Sequence, residues 1–248
     1  MKNVFIDIET IPSQGGYDAY LEDAKANFKA PSTLSKAQAA KDLGLTDANE
    51  IKFTSKDDMI ARWESELAES KSADVANDKW EKTSFNPDVA QIACICCFAG
   101  GYKQEFDLIN FKSEKLMLSE FHEYITAICS ANGAEVFKPN FIGHYITKFD
   151  LPFIWKRSVI NGVTTCKGVK WIDAKHGYNC YDTMTAWAGY GNSISADNLS
   201  NILGLKGKTK GMDGSMVYDT WQTDPQKVIE YCHDDVDMVR RIHERLVK

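Results

Sequence analysis

The chain has 248 residues, of which 44% are hydrophobic and 26% charged, with a net charge of −6 and a pI near 5.4. This composition suits a soluble globular protein with a core. It argues against a protein that coats DNA without regard to sequence, which would present a basic face. A nuclease stays compatible, because bound divalent cations and a local basic rim can supply positive charge at the site. No apolar run reaches the roughly 20 residues of a membrane helix, and no secretory leader pattern follows Met1-Lys2-Asn3, so the expected location is the cytoplasm, without a membrane partner.

Residues 3–9, Asn-Val-Phe-Ile-Asp-Ile-Glu, alternate. Val4, Ile6 and Ile8 share one face, and Phe5, Asp7 and Glu9 the other, which predicts a strand ended by Thr10-Ile11-Pro12. Residues 13–86 turn rich in Ala, Lys, Asp, Glu and Ser, with helical periodicity over 17–28, 36–43 and 57–67. Their low apolar content predicts a helical insertion that packs on a core rather than forming one. Residues 89–98 and 103–111, joined by Gly100-Gly101, predict a hairpin.

Residues 113–130 carry the apolar spacing of an amphipathic helix opened by a Ser cap, and 136–143 read as a short strand. Asp150 before Leu151-Pro152 signals a helix start, with the helix continuing over 153–160. A strand over 179–185, a short helix over 196–203 and a Gly- and Lys-rich loop over 204–215 follow. Asp224-Pro225 opens a last helix running to about Leu246. The order predicts an α/β fold, a mixed β-sheet flanked by helices. It forms a single domain over 1–248, with the helical insertion at 13–86 after the first strand.

The seven cysteines are irregularly spaced and lack paired Cys-x-x-Cys knuckles, so they read as buried reduced thiols rather than a zinc site.

Several carboxylates stand where apolar residues are expected. Asp7 and Glu9 sit side by side on an apolar strand, either as a solvated strand end or as ligands of a hard divalent cation such as Mg²⁺ or Mn²⁺. On the last helix, stepping about 100° per residue from Val228 places Cys232, Val239, Ile242 and Leu246 within about 40° of one direction. Asp235 falls inside this stripe at about 340°, with Tyr231 on its shoulder at about 300°. Asp234 and Asp237 fall outside it, at about 240° and 180°, and are expected in solvent. A carboxylate on the buried stripe needs a metal or an ion pair with Lys or Arg. Asp150, taken alone, reads as a helix cap rather than a ligand.

Together these residues resemble the DEDD, or DnaQ-like, exonuclease superfamily with a ribonuclease-H-like fold. Asp-x-Glu on the first strand matches Asp7-Ile8-Glu9. The Gly-His segment ending in Phe-Asp matches Gly143-His144 through Phe149-Asp150. Tyr-x-x-x-Asp matches Tyr231 to Asp235, the tyrosine subclass (DEDDy), since the other subclass needs a His where Glu230 stands. The chain is most similar to the proofreading exonuclease domain of family-B DNA polymerases, in particular to stand-alone relatives often encoded by phages, for which the location would be the host cytoplasm. Tyr145 departs from the pattern, which often has Asn after Gly-His.

The resemblance implies a 3′→5′ exonuclease that hydrolyses single-stranded DNA by a two-metal-ion mechanism and releases nucleoside 5′-monophosphates. It implies that Asp7, Glu9, Asp150 and Asp235 hold two Mg²⁺ or Mn²⁺ ions about 4 Å apart, with Tyr231 orienting the attacking water. Thr10 and Phe149 are candidate contacts to the terminal nucleotide, and Lys206, Lys208 and Lys210 to phosphates. The expected partners are a single-stranded DNA 3′ end and a separate DNA polymerase. The competing readings are an exoribonuclease or oligonuclease acting on RNA, and a non-catalytic nucleic-acid-binding module that kept the fold.

Overall fold

In the computed structural model, all residues except 46–52, 132–133, 136–137 and 209–210 are described. The chain divides into two compact units, Met1–Pro12 with Ser84–Lys248, and Ser13–Thr83. The first unit opens with β1 (Lys2–Ile11). The second contains α1 (Tyr17–Ala26), α2 (Lys36–Asp42) and α3 (Lys56–Glu81). The first unit resumes with β2 (Gln91–Ala99), β3 (Tyr102–Asp107), α4 (Leu108–Phe111) and α5 (Glu114–Cys129). A small ladder of β4 (Ser130–Ala131) and β5 (Ala134–Glu135) follows, then β6 (Pro139–Gly143), α6 (Asp150–Ile160) and β7 (Cys180–Asp182). The chain closes with α7 (Thr183–Ala188), α8 (Ala196–Ile202), α9 (Val217–Thr223) and α10 (Pro225–Leu246).

Five strands form one mixed sheet in the order β3-β2-β1-β6-β7. The pairs β1–β2 and β2–β3 are antiparallel, whereas β1–β6 and β6–β7 are parallel. The alternation in β1 sorts its side chains onto two cores. Val4, Ile6 and Ile8 pack with Met117, Leu118 and Phe121 of α5 and with Leu151, Phe153 and Ile154 of α6. Phe5 and Ile11 pack on the other face with Val217 of α9 and Val228, Cys232 and Val239 of α10. Each fully buried large side chain here contributes about 1.5–3 kcal/mol. A sheet between two helical layers results, as the resemblance implies.

Within the first layer, α5 and α6 are tied by a buried ion pair. Arg157 Nε and Nη2 donate to Glu114 Oε1 and Oε2 at 3.0 and 2.6 Å. The same carboxylate accepts from Ile92 N and Asn161 Nδ2.

The unit Ser13–Thr83 departs from expectation in two ways. It builds a small core of its own from Leu34, Ala39, Met59 and Trp63, with Phe28 stacked on Trp63 at 5.3 Å. Its last helix runs on to Glu81 rather than stopping near Leu67. In the extension, small residues carry the inward face: Ser72 and Ala76 are buried, as is Ala24 of α1, and Ser72 Oγ reaches the Ala24 carbonyl. An apolar period carried by Ala and Ser is weak in sequence but permits close helix approach.

Other differences follow from caps. The strand expected over 103–111 stops at Asp107, whose carboxylate accepts from Ile109 N and Asn110 N and starts α4. The strand expected over 179–185 likewise stops at Asp182, which caps α7 through Met184 N and Thr185 N. Ser113 stands at the N-cap of α5 but makes no side-chain cap bond. Helix α6 begins at Asp150 itself, ahead of the expected 153, so Asp150 lies inside the first turn and Phe149 is the cap residue. Part of the strand expected over 136–143 lies outside the described residues, and β6 begins at Pro139. Asp224 and Pro225 open α10 as expected, with Asp224 accepting from Lys227 N.

Candidate active site

Three elements deliver the acids. Strand β1 pairs with β6 only as far as Phe5, opposite Ile142, while its other edge stays paired with β2 through Asp7 and Glu9. Both acids therefore lie beyond the paired end of β6, at the carboxyl ends of parallel strands where open α/β sheets bind ligands. A register shift between Glu9 and Thr10 leaves Ala93 as an extra residue on β2. Bulges of this kind bend a strand and re-aim its side chains, and they concentrate beside active sites. On α10, the buried Val228, Cys232, Val236 and Val239 fix the inner face and set Asp235 towards β1.

One carboxylate oxygen from each of Asp7, Glu9 and Asp235 lies within 4.8 Å of those of the other two. All three side chains keep partial exposure. Asp150 is buried and borders the group without joining it within that radius. Its charge acts on Asp7 and Glu9.

The turn leading to Asp150 is held from below by Asp182, which is fully buried. Its carboxylate accepts from Tyr145 N at 3.1 Å, Thr147 N at 3.3 Å and Thr147 Oγ1 at 2.9 Å. Gly143 is needed at the turn's entrance, since a Cβ there would stand 2.8 Å from Ile146. Tyr145 adopts φ 63, the left-handed region that favours Gly and Asn. Tyr145 holds this conformation with its N–H bonded to Asp182. The half-buried His144 ring bridges Thr183 Oγ1 at 2.9 Å and the Ile194 carbonyl at 2.8 Å. Because the carbonyl only accepts, Nε2 carries the proton. Burial lowers the His144 pKa, which keeps the ring neutral.

Lys208 reaches the acids from the loop after α8. Its Nζ donates to Asp235 Oδ2 at 2.9 Å and to Tyr231 Oη at 2.5 Å, and lies 4.6 Å from the Tyr231 ring centroid. The loop is anchored by Asp197 Oδ1, which accepts from Lys208 N at 2.9 Å. Gly207 permits this approach, for a Cβ there would stand 2.5 Å from the same oxygen.

Electrostatics marks the cluster as short of positive charge. Burial, then repulsion from Asp235, Asp150 and Glu9, pushes Asp7 well above the usual carboxylate range. Glu9 is raised by burial, Cys94 and Asp235. Burial raises Asp150 to about 7 and also raises Asp235. Lys208 pulls Asp7, Glu9 and Asp235 back down without cancelling these shifts. Burial and Asp235 raise the Tyr231 hydroxyl, so Tyr231 stays a neutral hydrogen-bonding group at neutral pH. An all-oxygen donor set with this much mutual repulsion fits hard divalent cations such as Mg²⁺ or Mn²⁺.

The structure thus gathers Asp7, Glu9, Asp150, Tyr231, Asp235 and Lys208. Thr10 lies beside them, but its hydroxyl donates to the Ser84 carbonyl at 2.8 Å. Phe149 is half-buried between Phe85 and Phe153, with ring centroids at 6.4 and 5.2 Å. Lys206 is exposed, and its backbone carbonyl accepts from Ser200 and Arg241. Lys210 lies outside the described residues. Asp237, expected in solvent, is only partly exposed and pairs with Lys103 at 2.7 Å and Arg240 at 3.5 Å. Helix angles alone could not show that β3 supplies a lysine to it. Asp182 was missed because nothing local links residue 182 to the 145–147 turn.

The family described as "Predicted 3'-5' exonuclease related to the exonuclease domain of PolB" matches residues 83–239, more than half of the chain. The chain belongs to that family. The matched segment contains Asp150, Tyr231 and Asp235 and begins after β1, so Asp7 and Glu9 lie outside it. Among solved structures, the family B DNA polymerase from the hyperthermophilic archaeon Pyrobaculum calidifontis is similar, with a TM-score of 0.51 at 14% identity. The similarity covers 65% of this chain and 22% of that polymerase, and it supports the fold. No curated protein matches the chain. Among the described residues, no helix is long and apolar enough to cross a membrane.

Proposed function

We propose that this chain is a metal-dependent 3′→5′ exodeoxyribonuclease of the tyrosine subclass that trims single-stranded DNA ends to nucleoside 5′-monophosphates. The observation that carries the proposal is the convergence of Asp7, Glu9 and Asp235 within 4.8 Å, bordered by Asp150 and the Tyr231 hydroxyl. The four carboxylates would hold two Mg²⁺ or Mn²⁺ ions, which supply an ionised water as nucleophile and stabilise the leaving 3′-oxygen. Tyr231, kept neutral, is placed to orient that water by a hydrogen bond. Lys208, whose Nζ already donates to Tyr231 and Asp235, would face a phosphate oxygen as a point charge. Phe149 would contact the terminal base.

The reaction adds the water oxygen to phosphorus and breaks the bond to the 3′-oxygen, which leaves with a proton. The test is a product ladder from 5′-labelled and 3′-labelled single strands, with and without EDTA. The expected result is a descending ladder from the 5′-labelled strand and immediate mononucleotide from the 3′-labelled one, both abolished by EDTA. Release of label first from the 5′ end, or no metal-dependent release, overturns the proposal. A parallel RNA strand degraded faster than DNA would reassign the substrate.

A further inference from the structure

The same sheet face that carries Asp7 and Glu9 carries sulfur beside them. In the antiparallel register Asp7 stands opposite Cys96, and Glu9 opposite Cys94. Side chains directly opposite in such a pair point to the same face, so Cys94 and Cys96 face α10. There Cys232 completes a group whose three Sγ atoms lie within 4.8 Å of one another. All three residues are fully buried, and all three are free thiols.

We propose that Cys94, Cys96 and Cys232 form a second metal site, adjoining the carboxylates, for a thiophilic divalent cation of the Zn²⁺ class. Zinc–sulfur bonds of about 2.3 Å place three sulfurs around one ion about 4 Å apart, a spacing this group can adopt with small side-chain rotations. Sulfur ligands select soft ions, whereas Mg²⁺ and Mn²⁺ prefer the neighbouring oxygens, so the two sites sort ions by softness. The thiols belong to a buried apolar cluster that also holds Ala93, Val228 and Val236. A low-dielectric cluster favours the ion that leaves least residual charge. Three thiolates around a divalent ion leave one net negative charge, and around a monovalent ion two. The Cys232 thiol also donates to the Asp7 backbone carbonyl at 3.4 Å and lies 3.6 Å from Asp7 Oδ2. An ion at the thiols takes that donor away, which links soft-metal occupancy to the position of Asp7.

The experiment uses the full chain, reduced and metal-free, titrated with Cd²⁺ in excess Mg²⁺. The expected result is a thiolate-to-cadmium charge-transfer band in the ultraviolet that saturates at one ion per chain. It is lost in Cys94→Ser and Cys232→Ser and retained in Cys129→Ser, whose thiol lies at the end of α5. Absence of the band, or its survival in both the Cys94 and Cys232 variants, overturns the proposal. If those variants fail to fold, ¹¹³Cd resonance of the unaltered chain decides. A shift in the sulfur-rich range supports the site, and one in the oxygen range overturns it. None of these readouts depends on nuclease activity.

Discussion

Lys208 Nζ and Asp235 Oδ2 stand 2.9 Å apart, so the acid contributed by the last helix already holds a cation supplied by a loop. Asp235 is thus in the ion pair with a lysine that the sequence offered as the alternative to a metal. The pair is partly exposed and does not neutralise the cluster, since Asp7 and Glu9 remain raised despite Lys208.

Lys208→Met is expected to move the acid limb of the activity profile to higher pH. The lysine charge lowers the pKa of Asp7, Glu9 and Asp235, so its loss raises all three and delays the ionisation that metal binding requires. A pH–rate profile at saturating Mn²⁺ checks this, and an unmoved limb would show that Lys208 has no such role.

Asp7→Ala and Asp235→Ala are each expected to lower metal-dependent shortening of single strands by at least about a hundredfold, the upper range for losing even an outer partner of a metal ligand. Asp234→Ala is expected to stay within a few-fold of the unaltered chain, because Asp234 lies outside the group within 4.8 Å. Equal loss in all three would sink the site assignment.

The metal-free protein is expected to lose stability as pH rises. Asp7, Glu9, Asp150 and Asp235 bind protons more tightly folded than unfolded. Their contribution is therefore present below the unfolded carboxylate range, about 4. It is lost as pH climbs through the folded values, about 7 for Asp150. Mn²⁺ replaces the protons, so it should raise Tm more at pH 7.5 than at pH 5. Thermal melts with EDTA or Mn²⁺ at the two pH values measure this, and an equal metal effect at both would contradict it.

Arg157→Met is expected to destabilise the fold by about 3–5 kcal/mol, because it strands the buried Glu114 carboxylate. Adding Glu114→Leu should recover part of that loss, since it removes the stranded charge but leaves Ile92 N without its acceptor. Urea denaturation of the single and double variants reads the difference, and a single variant near the unaltered midpoint would refute the pair's importance.

The layered sheet was legible because its signals are local. Period-two alternation in β1 separates Val4, Ile6 and Ile8 from Phe5, Asp7 and Glu9, and the two sets meet different helical layers. Helix angles likewise picked Asp235 from three acids on α10. Errors came where a side chain redirected the backbone. Asp107 and Asp182 ended strands early by capping helices, a choice that apolar patterning does not encode. The long third helix of the insertion was missed because Ser72 and Ala76 carry its buried face.

By itself the sequence determined the periodicities, the α/β order and the acids that local geometry places on one face, since these depend on spacing along a single element. Only the tertiary structure decided what meets across elements. It brought Lys208 to Asp235, Asp182 to the turn before Asp150, Lys103 to Asp237, and Cys232 to Cys94 and Cys96. Each of these joins residues far apart in the chain. Such contacts arise from packing and from the burial cost of unpaired charge, and neither is written in the spacing of neighbours.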